Sequence, residues 1–160
     1  MLHSVFNKIL LASDHAGVNV KALVGQYLEE NREFFDIQSL IDCGPFNANI
    51  RTDYPLYAKF LCQSISSSDT CGILLCARGI GMSIAANRFS HIRAALCSDV
   101  HASFFARSHS NANVLIISAD AGYSKETIHE MLKTFLSTQF SGGRYQERLD
   151  MIDVITTDCI

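Results

Sequence analysis

The most constraining feature of the chain is the stretch Cys71–Asn87, which reads CGILLCARGIGMSIAAN. It opens with the unbroken apolar run Gly72–Leu75, which predicts a strand buried on both faces. It closes with Met82–Asn87, a small and largely apolar segment that predicts a helix. Residues 76–81 lie between them as a glycine-punctuated turn, at the edge of a parallel sheet where ligands bind. Backbone amides at such a turn favour an anion. The Cys76 thiol at this turn is therefore the first candidate for a functional residue.

Further apolar runs alternate with helical stripes along the rest of the chain. Five strands alternating with helices predict a three-layer α/β/α fold with a five-stranded parallel sheet and right-handed crossovers. The 160 residues, 48% hydrophobic and 18% charged, fit one folded domain spanning 1–160, with its core over about 8–140. The other predicted strands are Lys8–Ser13, Phe34–Ile37, Ile92–Cys97 and Asn113–Ser118, and helices are predicted over 20–28, 57–65, 100–107 and 128–136.

Charge and hydropathy exclude several classes of protein. A net charge of −3 gives no reason to expect binding to nucleic acid or to an anionic membrane surface. The N-terminal residues lack the basic start and apolar stretch of a signal peptide, and no segment approaches the roughly 18 apolar residues that span a bilayer. We therefore expect a soluble, cytoplasmic protein.

The six cysteines and six histidines show no paired ligand spacing, which argues against structural zinc. A disulfide framework is not expected in a chain of this length without an export signal. Most of the thiols are interpreted as core residues.

Several short motifs occur together in order along the chain: SDHAG (13–17), DYP (53–55), CxxGIGMSIAAN (76–87), RxH (107–109) with NVL (113–115), and GGRxxxR (142–148). Together they closely resemble the type B ribose-5-phosphate isomerases, whose relatives include the galactose-6-phosphate isomerase subunits. The resemblance runs from about Lys8 to Arg148 and implies an aldose–ketose isomerase on a Rossmann-like fold, without metal or organic cofactor. It also implies a homodimer with pockets at the subunit seam, with segment 141–160 packing on its own domain or on the partner; whether dimers pair further stays open.

The resemblance implies that Cys76 is the base that moves a proton between C2 and C1 of the sugar through an enediolate. A free thiol titrates near ~8.5 and needs a lowered pKa to act as a thiolate at neutral pH. The start of the following helix supplies a field of the right sign. From position alone, the alternative is an inert buried thiol like its neighbours Cys71 and Cys97.

The turn from Ala77 to Gly81 matches the family's anion loop, in which amides such as that of Gly79 face the enediolate. The family usually has Gly and then Thr or Ser where this chain has Ala77 and Arg78. Arg78 either stabilises negative charge in place of that hydroxyl or is a solvent-facing loop residue.

His109 matches the family's ring opener, a neutral imidazole that moves a proton at the anomeric oxygen. Ser110 stands where the family commonly has Asn, and its hydroxyl retains hydrogen bonding at reduced reach. Without the resemblance, a lone histidine is more often structural or solvated.

Arg144 and Arg148, with His15, match the family's phosphate-binding set. Arginines four residues apart lie on one helix face and converge on one dianion, although a solvated basic face has the same pattern. Asp120 departs from the family, because many relatives have arginine there and an acid repels phosphate.

Asp14 and Tyr54 match residues that line the sugar in the family, although either also suits a cap or a packing contact. Asn87, Arg107 and Asn113 belong to the motifs but are interpreted as structural.

Two other functions remain open. A six-carbon substrate such as galactose or allose 6-phosphate suits the same fold, since pocket length is not readable from sequence. A phosphosugar-binding module without catalysis is the other, supported only by Arg78, Ser110 and Asp120. A dinucleotide site is disfavoured because no GxGxxG follows the first strand. The pattern leaves a flavin site open.

Overall fold

The computed structural model describes residues 4–155, which form one five-stranded sheet with helices on both faces. The sheet has five strands, and a three-residue 3-10 turn, His15–Gly17, leads into the first helix. The elements are β1 (Lys8–Ser13), α1 (Val18–Glu30), α2 (Arg32–Phe35), β2 (Ser39–Asp42), α3 (Tyr54–Gln63), β3 (Thr70–Cys76), α4 (Ile80–Ala86), β4 (Ala94–Leu96), α5 (Val100–Ser108), β5 (Val114–Ser118), α6 (Lys125–Ser137) and α7 (Arg144–Ile155).

The strand order is β2-β1-β3-β5-β4, and every neighbouring pair is parallel. The predicted three-layer α/β fold with a five-stranded parallel sheet is therefore confirmed. All seven residues of β3 are buried, as the apolar run predicts for a central strand. After β1 the chain moves to one side of the sheet, and after β3 it moves to the other. The carboxyl ends of β1 and β3 thus form the topological switch point, where open α/β sheets bind ligands.

Two hydrophobic cores lie on opposite faces of the sheet. On one face, Val24 of α1 and Phe135 of α6 pack with the odd-numbered side chains of the central strands, such as Ile73. On the other face, Leu61 of α3 and Met82 of α4 cover Leu74. The predicted stripe of α6 is confirmed, because all five of its apolar residues are buried: Ile128, Met131, Leu132, Phe135 and Leu136.

The strand predicted at Phe34–Ile37 is wrong. Phe34 and Phe35 lie in the short helix α2, which ends at Asp36 in a left-handed conformation, φ +56°. Phe35 is fully buried against the α1–α6 core, so its apolar character reflects helix packing. The true strand β2 begins at Ser39 and is only partly buried, because it forms the edge of the sheet.

The face of α3 that packs on the sheet differs from the prediction. Ala58, Leu61 and Cys62 are the buried residues of this helix, whereas Phe60 is exposed. Ile65 is buried, but it lies beyond the helix end. The prediction placed Phe60 on the packed face because it is large and apolar, but the smaller residues Ala58 and Cys62 face the core instead.

The cysteines are confirmed as largely core residues. Cys62, Cys71 and Cys97 are buried and unpaired, and Cys159 lies outside the described residues. Burial raises the pKa of Cys62 and Cys71 to about 12 and that of Cys97 to about 11. Between residues 4 and 155, no helix has the length and apolar character needed to cross a bilayer.

Candidate functional site

The site is built at the carboxyl ends of β1 and β3, where Asp14 and Cys76 meet. Asp14 follows the last residue of β1, and its amide donates to the Leu75 carbonyl at 3.2 Å, which ties the two strand ends together. Its Oδ1 accepts a 3.0 Å hydrogen bond from the Gly17 amide and so caps the turn before α1. Its other oxygen, Oδ2, accepts a 3.1 Å hydrogen bond from Cys76 Sγ.

Gly17 permits this close approach of the first turn to the sheet. A Cβ at this position would lie 2.7 Å from the Leu75 carbonyl oxygen. Asp14 and Cys76 are only 6% and 8% exposed, so the thiol and the carboxylate interact in a largely desolvated space.

The pKa of Cys76 is raised, although the helix start supplies a field that favours a thiolate. Burial raises the pKa of the thiol, and the hydrogen bond and negative charge of Asp14 raise it further. The backbone amides of Gly79 and Arg78 hydrogen-bond the sulfur and oppose this shift, as an anion loop predicts, but they are outweighed. Cys76 therefore rests as a thiol that already has a proton acceptor in contact.

The turn after β3 is tied to the end of β5. The Ala77 carbonyl accepts hydrogen bonds from the Asp120 amide at 2.9 Å and from Ser118 Oγ at 2.7 Å. Gly79 has φ +76°, and a Cβ there would lie 2.5 Å from Leu96 Cδ1. The turn consequently holds its amides toward Cys76, whereas the Arg78 side chain is exposed.

Tyr54 and His15 flank the strand ends on the α3 side. A Cβ on Gly81 would lie 2.6 Å from Tyr54 Cζ, so the glycine lets the aromatic ring rest on the first turn of α4. His15 Nδ1 lies 3.0 Å from the Thr52 carbonyl oxygen and 3.3 Å from the Thr52 amide nitrogen. It donates to the first or accepts from the second according to tautomer, and either bond fixes the ring.

His109, Arg144 and Arg148 converge on one ring that the sequence motifs did not single out. The imidazole of His109 stacks on Tyr145 with centroids 4.0 Å apart and an interplanar angle of 12°. Arg144 donates from Nη2 to the Tyr145 hydroxyl at 3.0 Å, and the Arg144 and Arg148 guanidiniums lie 5.0 and 5.8 Å from the ring centroid. Ser110 is exposed beside this group.

The structure thus sorts the predicted residues into two groups. The strand-end group contains Asp14, Cys76 and the turn after β3, flanked by His15 and Tyr54; the helix group contains His109, Ser110, Arg144 and Arg148. Within residues 4–155, no hydrogen bond, ion pair or ring contact joins the two groups. Sequence reasoning missed Tyr145 and Thr52; both lie inside or beside the motifs, but stacking and backbone contacts have no signature in residue type.

Three motif residues are structural, as predicted. Asn87 bonds the Ala94 backbone through both ends of its amide, and Asn113 donates to the His91 carbonyl and accepts from the Arg93 amide. Arg107 is buried and donates to the Asn111 side chain and to the backbone. Among residues 4–155, no three His, Cys, Asp or Glu side chains converge as metal ligands.

A thiol and a carboxylate at the switch point of a parallel sheet, beside an amide-lined turn, define an α/β protein of the enzyme type that acts on small molecules. The family model for Ribose/Galactose Isomerase matches residues 9–152. The chain belongs to the ribose/galactose isomerase family and is an enzyme of the isomerase class.

Individual relatives agree with this assignment. The chain is 40% identical over 146 residues to a putative sugar phosphate isomerase of Rickettsia bellii, covering 91% of this chain and 96% of that protein. It is 34% identical over 150 residues to ribose-5-phosphate isomerase B of Escherichia coli, covering 92% and 95%. The crystal structure of a ribose 5-phosphate isomerase from Thermotoga maritima superposes with a TM-score of 0.84 at 43% identity, covering 92% of this chain and 97% of that one.

Proposed function

We propose that the chain is a single isomerase domain that interconverts ribose 5-phosphate and ribulose 5-phosphate, with Cys76 as the base at C2. The observation that carries this proposal is the contact of Cys76 Sγ with the Asp14 carboxylate at the carboxyl ends of β1 and β3. The amides of Arg78 and Gly79, which hydrogen-bond the same sulfur, supply donors for negative charge at this point.

The raised pKa of Cys76 determines how the base forms. As the sulfur takes the proton from C2, its own proton passes to Asp14, the acceptor 3.1 Å away. The enediolate left on the sugar is stabilised by the turn amides, and the thiol then delivers a proton to C1 while Asp14 returns its proton to the sulfur. Cys76 and Asp14 thus act as a pair, and Tyr54 forms a wall of the sugar site.

The helix group supplies ring opening and phosphate binding. His109 moves a proton at the anomeric oxygen, with its imidazole plane set by the stack on Tyr145. Arg144 and Arg148 bind the phosphate dianion together with His15. Ser110 hydrogen-bonds a sugar hydroxyl from the exposed end of the same group.

Because the two groups make no contact within one described chain, we propose that they meet across the seam of a homodimer. Exposed apolar side chains favour such a seam. Ile80 and Ile84 lie on α4, directly after the site turn, and Phe104 and Phe105 lie on α5, which ends directly before His109. A catalytic site of this kind fits a protein of cytoplasmic carbohydrate metabolism, in the pentose phosphate pathway.

The test is turnover of ribose 5-phosphate without added metal by the wild-type protein and by two cysteine variants. Cys76→Ala is expected to lower kcat by about 10²–10⁴-fold, since it removes the general base. Cys71→Ala is the matched control, because Cys71 lies in the same strand but is fully buried in the core. Full activity of Cys76→Ala would remove the thiol from the mechanism, and a wild-type protein without turnover would overturn the proposed reaction.

A six-carbon sugar phosphate is the second candidate substrate, favoured by the description of the matching family as ribose and galactose isomerases. Relative kcat/KM for ribose 5-phosphate and for galactose and allose 6-phosphates decides between them. Binding of a sugar phosphate without turnover of any of them indicates the non-catalytic alternative. Its motivation is the three exposed residues that depart from the family, Arg78, Ser110 and Asp120.

A further inference from the structure

Lys21 is a buried lysine that the proposed reaction does not use. It is 2% exposed, and no other lysine among residues 4–155 is buried. Its ammonium forms an ion pair with Asp42, the last residue of β2, and lies 4.8 Å from the ring centroid of Phe46. A desolvated ammonium is stable only when its charge is compensated. The ion pair with Asp42 therefore holds the Lys21 side chain and Asp42 together.

The ion pair anchors the start of the loop that follows β2. Asp42 Oδ1 also accepts a 2.8 Å hydrogen bond from the Gly44 amide. The loop start is held against β1 as well, because the Cys43 amide donates to Leu11 at 2.7 Å and the Ser13 amide donates to the Gly44 carbonyl at 3.1 Å. Lys21 therefore neutralises the Asp42 carboxylate, which holds the first residues of the loop after β2.

The far end of the same loop holds His15. Thr52 contacts the Nδ1 of His15 through its backbone, as described above. His15 begins the turn that leads into α1, and Lys21 lies six residues further along the same segment. The segment from His15 to Lys21 therefore contacts loop 43–52 at both ends of the loop. Lys21 pairs with Asp42 just before the loop, and His15 contacts Thr52 at its far end.

We propose that Lys21 is a positioning residue for His15: through Asp42 it fixes loop 43–52, and the loop fixes the plane of the His15 imidazole. The consequence for phosphate binding rests on the proposed function, in which His15 binds the substrate phosphate. The orientation of the imidazole is a property of the ligand-free protein and is measurable without turnover.

The test compares Lys21→Met with wild type, Asp42→Asn and Lys133→Met. Lys21→Met keeps an unbranched side chain one heavy atom shorter and removes the charge. Asp42→Asn, at the partly exposed end of the pair, keeps an acceptor for Gly44 and breaks the same ion pair from the other side. Lys133→Met is the matched control, since Lys133 forms an exposed pair with Glu130 within α6.

Three readouts are expected to agree. The ¹⁵N shifts of the His15 ring move in both Lys21→Met and Asp42→Asn, because the contact with Thr52 loosens when either partner of the ion pair is lost. The Kd for inorganic phosphate and the KM for ribose 5-phosphate rise by about tenfold in Lys21→Met, whereas kcat stays within about twofold. Lys21→Arg, which restores the charge, recovers part of each change, and Lys133→Met changes none of them.

Unchanged His15 shifts in folded Lys21→Met and Asp42→Asn would overturn the positioning role, as would a fall in kcat with KM unchanged. Failure of the proposed function looks different. The wild-type protein would then turn over no ribose 5-phosphate, while the His15 shifts would still respond to the loss of the Lys21 charge.

Discussion

Cys76 donates its thiol hydrogen to Asp14 across two neighbouring parallel strands, with Sγ 3.1 Å from Oδ2. The contact reverses the electrostatics expected from the sequence. A turn and helix start alone would favour a thiolate, but a buried carboxylate beside the sulfur favours the neutral thiol. The structure therefore favours the protonated form of the candidate base, in hydrogen-bond contact with a carboxylate.

Replacing Asp14 with asparagine is expected to lower the pKa of Cys76. The carboxylate raises this pKa both by accepting the thiol hydrogen bond and by its negative charge. The variant Asp14→Asn loses the charge, while the amides of Arg78 and Gly79 still stabilise the thiolate. The rate of Cys76 alkylation by iodoacetamide, measured from pH 6 to 10, reports the shift.

The matched control for this experiment is Asp99→Asn. Asp99 caps α5 as Asp14 caps the turn before α1, but its carboxylate accepts from Ala102 and Ser98 instead of from Cys76. The alkylation profile of Cys76 is expected to stay unchanged in Asp99→Asn. An unchanged or raised pKa in Asp14→Asn would show that the carboxylate does not govern the thiol.

Gly81→Ala is expected to weaken substrate binding with little effect on folding. The new methyl group would lie 2.6 Å from Tyr54 Cζ, and the ring, which is the far end of a flexible side chain, moves away. Overpacking of about 1 kcal/mol corresponds to a rise in KM of about fivefold. Steady-state kinetics and thermal unfolding measure the two effects.

Gly25→Ala is the control for that substitution. Gly25 lies within α1, and its added Cβ makes only an ordinary 3.4 Å contact with Leu11. Alanine is favoured over glycine in a helix interior by roughly 0.5–1 kcal/mol, so this variant gains stability at unchanged KM. Equal KM values in the two variants would contradict the assignment of Tyr54 to the sugar site.

Tyr145→Leu is expected to release His109 from its fixed plane. An aromatic stack contributes about 0.5–1.5 kcal/mol, so kcat/KM falls by about two- to tenfold. Tyr145→Phe keeps the stack with His109 but loses the hydrogen bond from Arg144, and it should retain most of the activity. Equal losses in the two variants would indicate that the hydroxyl, not the stack, is the important feature.

The sheet was predictable because its central strands are apolar on both faces. The run that becomes β3 is buried along its whole length, and the stripe of α6 is buried at every predicted position. Residues at the sheet edge gave the error, since β2 is half-exposed and its sequence SLID has no apolar run. The second strand was therefore predicted at the apolar pair Phe34–Phe35, which lies in the short helix α2.

At the site, Cys76 and Asp14 were candidates from the sequence, but their contact was not predicted. The two residues are 62 positions apart, and only the parallel pairing of β1 with β3 brings the strand ends together. The sign of the Cys76 pKa shift depends on that distance and on burial, neither of which residue type records. Tyr145 was missed for the same reason, because its stack with His109 depends on the relative position of the two rings.

The buried thiols are expected to make the fold sensitive to alkali. Burial raises the pKa of Cys71 from a reference value of 9.0, close to the ~8.5 of a free thiol, to about 12, so the unfolded chain releases this proton at lower pH than the folded one. The stabilisation is complete below pH 9 and is lost as pH rises from 9 toward 12, at up to about 1.4 kcal/mol per pH unit. Urea unfolding from pH 8 to 10.5 should show a shallower decline for Cys71→Ala than for wild type. Tyr27, whose pKa burial also raises, contributes equally to both proteins, and parallel declines would contradict the prediction.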